Sequence, residues 1–130
     1  MKQFTFKNAE RLKRKKRINY LFRQGETVCK FPLKTQFAWV EPIPQSSSVQ
    51  VIFAVPKKKF PKAVQRNRYK RLLRESYRLN KHLLLPLPPN NQQLLISFLY
   101  VEPKSINFKE MQNLVVDALK KVKENFIKER

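Results

Sequence analysis

A chain of 130 residues with 42% hydrophobic content has the size of one domain and enough apolar material for one packed core, which excludes a disordered basic tail. Its 29 Lys and Arg face only 9 Asp and Glu, giving +20 and a pI near 10.5, a field that attracts polyanions and opposes compaction. Cys29 stands alone, excluding an internal disulfide or thiolate metal cage, and no stretch reads as a signal core or membrane span, so the cytoplasm is the expected compartment.

Residues 1–8 read as a flexible N-terminal arm. Asn8 is placed to cap a helix running to Gln24, with Ile18, Leu21 and Phe22 at helical spacing and strongly cationic first turns in Arg11–Arg17. Gly25, the only glycine, is expected to end that helix in the left-handed conformation. Three strands follow, Thr27–Lys30, Leu33–Val40 and Val49–Val55; in the second, Leu33, Thr35, Phe37 and Trp39 alternate onto one face. Pro42–Ser48 reads as a turn or loop.

A long helix covers Lys62–Lys81, and Pro86–Asn91 forms a loop. Leu94–Val101 is a continuous apolar run, the signature of a strand covered on both faces. The last helix, Phe108–Ile127, lines up Met111, Leu114, Val115, Ala118, Leu119 and Val122. The order is helix, three strands, helix, strand, helix. It predicts a single α+β domain, a small mixed sheet packed with helices in a ribosomal-protein-like sandwich.

The charge is lopsided: residues 1–81 contain 22 basic residues and four acids, a balance of +18. Nucleic acid is the leading partner, ahead of an anionic membrane surface. The long helix concentrates this charge. At about 100° per residue, Tyr69, Leu72, Leu73 and Ser76 share a face, with Tyr77 at its edge. Arg66, Lys70, Lys81, Arg74, Asn67, Arg78 and Arg71 cover the opposite arc, and Glu75 falls outside it. Solvated helices normally mix signs so that pairs three or four apart help them, and this arc does not. Arginine suits bidentate phosphate recognition, and Asn67 adds a group able to bond a sugar or base edge. With Lys57–Lys59 ahead of it, the helix is read as the working, phosphate-binding surface.

Ala63–Arg78, "AVQRNRYKRLLRESYR", resembles the signature helix of the bacterial ribonuclease P protein component. Ile18 and Phe22 ahead of "RQG", "VIFAVPKKK" and "LLISFLYVEP" resemble, in order, that family's first helix, its strand leading into paired lysines, and its last strand. The resemblance implies a protein that joins a catalytic RNA and, with Mg²⁺ held mainly by that RNA, removes the 5′ leader of precursor tRNA. It implies a left-handed strand–helix–strand crossover, and the sequence shows no evident obligate protein partner. Carried over by position, Arg66, Asn67, Arg68, Lys70, Arg71 and Arg74 would bind the RNA subunit, joined by Arg78 of the same basic arc. Ile18, Phe22, Lys57 and Lys58 would line the cleft for the single-stranded leader, and Phe37, an aromatic of the second strand, is placed on its wall. Two departures stand out: Ile18 occupies a position usually aromatic, and "KKKFPKAV" is longer than the usual loop, with Pro61 where glycine is common.

Nothing in the chain spells a protein nuclease. Its one aspartate is Asp117, its one histidine is His82, read as structural or solvated, and its glutamates are scattered. Catalytic groups are therefore expected in the RNA. The alternatives are a structural, ribosomal-type RNA-binding protein with no role in cleavage, and a DNA-binding module for which no dimer seam is evident.

Overall fold

The computed structural model describes residues 10–43, 47–84, 92–102 and 106–129. The arm at 1–8 with its Asn8 cap and the Pro86–Asn91 loop lie outside them. The helices are α1 (Lys15–Gln24), α2 (Ala63–Asn80, continued by a 3-10 turn at Lys81–Leu84) and α3 (Phe108–Glu129). The strands are β1 (Glu26–Lys30), β2 (Leu33–Val40), β3 (Val49–Ala54) and β4 (Gln93–Tyr100). They form one sheet in the order β1-β2-β4-β3, with β3 and β4 parallel and the other pairs antiparallel. The α+β order read from the sequence holds.

Each strand's alternation divides the sheet into two faces. Leu33 and Phe37, Val49 and Val51, Leu94, Ile96, Phe98 and Tyr100 pack with Tyr69, Leu73 and Tyr77 of α2 and Met111, Val115, Leu119 and Val122 of α3. Aromatic rings hold this larger core: Tyr69 stacks on Tyr100 at 4.9 Å and Phe53 on Phe98 at 5.9 Å. On the opposite face a smaller cluster joins Leu12 and Leu21 to Ala38 and Leu95, with Ile18, Val40 and Ile52 against it. β4, central and covered on both sides, is buried almost throughout.

The first helix is shorter than its pattern suggests, beginning at Lys15 with no side-chain cap and no acid in its first turn. Unopposed cations at a helix N-terminus disfavour extending it. Residues ahead of it instead take up the free edge of β3: Arg11 bridges Val51 in parallel, and Leu12 N–H donates to Val51 O at 3.0 Å. Gly25 does not adopt the left-handed form, having φ −69 and ψ 150. Glycine is needed for space, because a Cβ there would sit 2.4 Å from Leu21 O and 2.9 Å from Leu21 Cδ1. At the other end of the chain, Asn107 and Glu110 cap α3 reciprocally, side chain to backbone in both directions (2.8 and 3.1 Å).

The hand of the β3–α2–β4 crossover follows from Val51. Its side chain lies in the α2 core, and its carbonyl points to Leu12, away from β4. Viewed with α2 in front and the strand running upward, an L-residue whose side chain faces the viewer carries its C=O on the right. β4 therefore lies to the left of β3, and the crossover is left-handed, against the common rule.

Burial pushes the Tyr100 phenol up to about 12, with Tyr69 and Glu110 adding to the shift, and raises Tyr77 as well, with Glu10 adding there. Folded pKa values above the ordinary one mean that this stability is intact below about pH 10 and is lost as pH rises toward the folded pKa. Each pH unit in that window should remove about 1.4 kcal/mol per tyrosine. We expect Tm to fall from pH 10 to 12, and to fall less in a Tyr77→Phe, Tyr100→Phe variant. Lysine neutralisation is common to both proteins, so equal losses would refute the assignment.

Candidate nucleic-acid interface

The outer arc of α2 is made of side chains with unequal commitments. Asn67, Arg68, Lys70 and Arg71 are exposed, and Arg74 is half-buried. The arc is not free of acid, as the wheel suggested: Glu75 accepts from Arg78 at 2.7 and 2.6 Å. A turn of helix brings i and i+3 together, and a carboxylate among unpaired cations swings to the nearest guanidinium. Lys81 is likewise spent on Glu10 at 2.7 Å, a pair largely withdrawn from solvent that fastens the N-terminal segment to the end of α2.

Arg66 faces inward. Its Nη1 donates to Phe60 O at 2.8 Å and Pro61 O at 2.9 Å. Phe60 is fully buried against Tyr69, 5.0 Å between ring centroids. The long "KKKFPKAV" loop is thus pinned by an aromatic plug below and a guanidinium above, which presents Lys57 and Lys58 on the surface. Lys59 in the same turn pairs with Glu102. Arg66 shapes the surface more than it lines it.

Lys70 and Arg74 meet Arg11 and Lys13 across a groove of about 250 Å³ whose wall is Val51–Phe53. The N-terminal segment therefore extends the basic surface of α2. The sequence reading missed this partnership, since only the Arg11–Val51 bridge places those two cations beside α2.

The other face of the sheet is partly bare. The pairings define transverse rows: Ala38–Leu95–Gln50 lies in the row on which Leu21 packs, the next is Thr27–Gln36–Ser97–Ile52, and the last is Cys29–Lys34–Leu99–Ala54. In the last row Cys29 is exposed and Lys34, Leu99 and Ala54 are half-exposed. The backbone of Phe22 stands over the middle row, with Gln36 Nε2 donating to Phe22 O at 3.5 Å. Phe22 as a residue is 46% exposed, too open for a core position. Ile18, by contrast, packs against the small cluster. The chain leaves this floor at Ala54 and reaches Lys57 and Lys58 shortly after.

Phe37 does not belong here. It is 1% exposed and lies in the larger core beneath α3, on the far face of the sheet from α1. The β2 residues on the α1 face are its even positions, Lys34, Gln36 and Ala38. Alternation identified two faces correctly, but only the packing of α1 tells which one is open.

The acidic side chains are scattered, and four of them meet a cation. Asp117 pairs with Lys30, Glu102 with Lys59, Glu75 with Arg78 and Glu10 with Lys81. Among the described residues no three His, Cys, Asp or Glu come together as metal ligands, and no helix is long and apolar enough to cross a membrane. His82 is exposed in the 3-10 turn.

Comparison with known proteins gives a consistent answer. A family model described as Ribonuclease P matches residues 6–123. The ribonuclease P protein component of Porphyromonas gingivalis is 32% identical over 123 residues, covering 94% of this chain and 89% of that protein. Among solved structures, the Staphylococcus aureus RNase P protein superposes with a TM-score of 0.69 over 89% of this chain and 97% of its own, at 22% identity. The Thermotoga maritima RNase P protein gives 0.65 over 86% and 96%, also at 22%. At that identity the superpositions speak for the fold alone.

Proposed function

This chain belongs to the ribonuclease P protein component family, and on that premise we propose that its two faces divide the labour of tRNA 5′ maturation. The arc of Asn67, Arg68, Lys70, Arg71 and Arg74, extended by Arg11 and Lys13, binds the catalytic RNA subunit. The floor of Gln36, Lys34, Leu99 and Ala54, with Phe22 at its border and Lys57 and Lys58 beyond its end, holds the single-stranded leader of precursor tRNA. The observation that carries this reading is the placement of a surface of exposed cations and an exposed aromatic on opposite sides of one sheet. Phosphates need the first, and unstacked bases need the second.

The protein's contribution is binding and orientation. Cations on α2 neutralise RNA phosphates and fix the register of the subunit. A base stacked on Phe22, with its phosphates near Lys57 and Lys58, holds the leader extended. The carboxylates are poorly suited to a metal centre, since those named above each meet a cation. Divalent Mg²⁺ would be held mainly by the RNA, where it would supply an activated water and charge stabilisation for cleavage.

The direct experiment adds the purified chain to a catalytic RNA and a precursor tRNA. Protein alone should leave the precursor intact at any magnesium concentration, and the mixture should release the leader faster than RNA alone at low magnesium. In the holoenzyme, Asp117→Asn, Glu102→Gln and His82→Ala should each act within roughly tenfold of wild type, against the 10²–10⁴ that general acid–base catalysts contribute. Cleavage by RNA-free protein, abolished by one of these changes in a folded variant, would overturn the reading. Tight RNA binding with no effect on cleavage would favour a purely structural RNA-binding protein.

A further inference from the structure

Arg17 is the last cation of the Arg11–Arg17 tract, and in sequence it looks like one more phosphate contact. Its side chain does something else. Nη1 donates to Gln93 Oε1 at 2.8 Å and Nη2 to Glu41 O at 2.7 Å. Gln93 is 1% exposed, and its Nε2 donates onward to Ser47 O at 2.6 Å. One guanidinium thus ties α1 to the exit of β2 and the entry of β4, and through Gln93 to the segment that enters β3. Burial lowers the pKa of this guanidinium, Arg14 lowers it further and Glu41 raises it; an arginine stays charged regardless.

The tie controls rotation of α1. Leu21 plugs the sheet at the row of Ala38 and Leu95. At about 100° per residue, Arg17 lies to one side of Leu21 on the helix wheel, and Ile18 and Phe22 lie to the other. Leu21 and Ile18 seat one apolar stripe of this ten-residue helix on the sheet, a non-directional contact that tolerates some roll about the axis, and a planar fork bonded to two acceptors on the Arg17 side restricts it. Rolling would lift Phe22 away from the floor or press it onto the floor.

We propose that Arg17 is a positioning residue for the leader: the Arg17–Gln93–Ser47 relay sets the rotation of α1 and so the gap between Phe22 and the sheet floor. The role rests on the assignment of that floor to the leader. Arg17 meets no RNA in this scheme, and its effect reaches the substrate through Phe22.

The test uses holoenzyme reconstituted from full-length protein and catalytic RNA, with Arg17→Ala, Gln93→Leu, the double variant, Arg17→Lys and Phe22→Ala, each checked by thermal melting. Lys16→Ala, from the exposed side of the same tract, is the control. Arg17→Ala and Gln93→Leu should each raise KM for precursor and reduce its preference over mature tRNA by roughly tenfold, the scale of losing a charged hydrogen bond. The value of kcat should hold, the double variant should be no worse than the single ones, and Arg17→Lys should recover part of the loss. Arg17→Lys and Gln93→Leu carry the test if Arg17→Ala fails to fold. Should Arg17→Ala instead shed one phosphate contact, about 0.7–0.9 in the salt slope, with Gln93→Leu behaving as wild type, Arg17 touches RNA and the proposal is wrong. Loss of preference in Phe22→Ala but not in folded Arg17→Ala overturns the positioning role alone. Unchanged preference in both removes the leader assignment beneath it.

Discussion

Replacing Arg68, Lys70, Arg71 and Arg74 together with glutamine should lower affinity for the catalytic RNA by about 10³-fold at moderate salt and flatten its salt dependence. Each phosphate contact contributes roughly 0.7–0.9 to the slope of log K against log salt, so four lost contacts should remove about 3 units. None of these four residues has an ion pair among the described residues, so their charge is available to a ligand at little cost to the fold. The neighbouring arginines make the comparison informative. Arg78→Gln should matter much less, since Glu75 already neutralises that guanidinium. Arg66→Gln should lower Tm, because the Phe60 and Pro61 carbonyls lose their shared donor and the lysine loop loses its anchor, costing about 1–3 kcal/mol. Filter binding across a salt series, with a melt for each variant, measures all three. A quadruple variant with wild-type slope would mean the RNA subunit docks elsewhere.

Phe22→Ala should weaken the preference for precursor over mature tRNA by about 5- to 150-fold, as one stacked base is worth roughly 1–3 kcal/mol. Binding to the RNA subunit should be spared, because α2 lies on the other face of the sheet. The exposed position of Phe22 keeps the measurement clean. Truncating a buried phenylalanine costs about 3–5 kcal/mol, but a residue 46% exposed should lose well under that. Its neighbour Leu21 is the contrast: fully buried, it should cost about 2–5 kcal/mol on truncation to alanine and show the stability loss that Phe22 lacks. Equal destabilisation by the two changes would place Phe22 in the core. A stable Phe22→Ala protein with unchanged preference would move the leader to another surface.

Much of the fold was legible because it depends on neighbours close in sequence. The buried face of α2, the stripe on α3 and the alternation of β2 come from side-chain periods of 3.6 and 2, and each is borne out residue by residue. The continuous apolar run of β4 announced a strand covered twice, and β4 is that strand. The signature on α2 marked a basic surface, but it did not separate Arg66 and Arg78, whose partners are a loop carbonyl pair and a local carboxylate, from Arg68, Lys70 and Arg71. A helical wheel shows where a side chain starts. It does not show what its far end can reach.

What the sequence determined by itself was the set of elements, their amphipathic faces and the sign of the partner. What tertiary structure alone decided was which face of the sheet stays open and which cations stay unpaired. Phe37 and Gln36 are adjacent on β2, and the strand pattern assigns them to opposite faces without saying which face α1 leaves bare. That depends on the order β1-β2-β4-β3 and on Leu21 settling over Ala38 and Leu95. Lys81 meets Glu10 across 71 residues of chain, Lys30 meets Asp117 across 87, and Arg17 reaches Gln93 across 76. No local period encodes such encounters. They follow from packing hydrophobic faces first, after which each charge takes the nearest partner the finished fold has brought within reach.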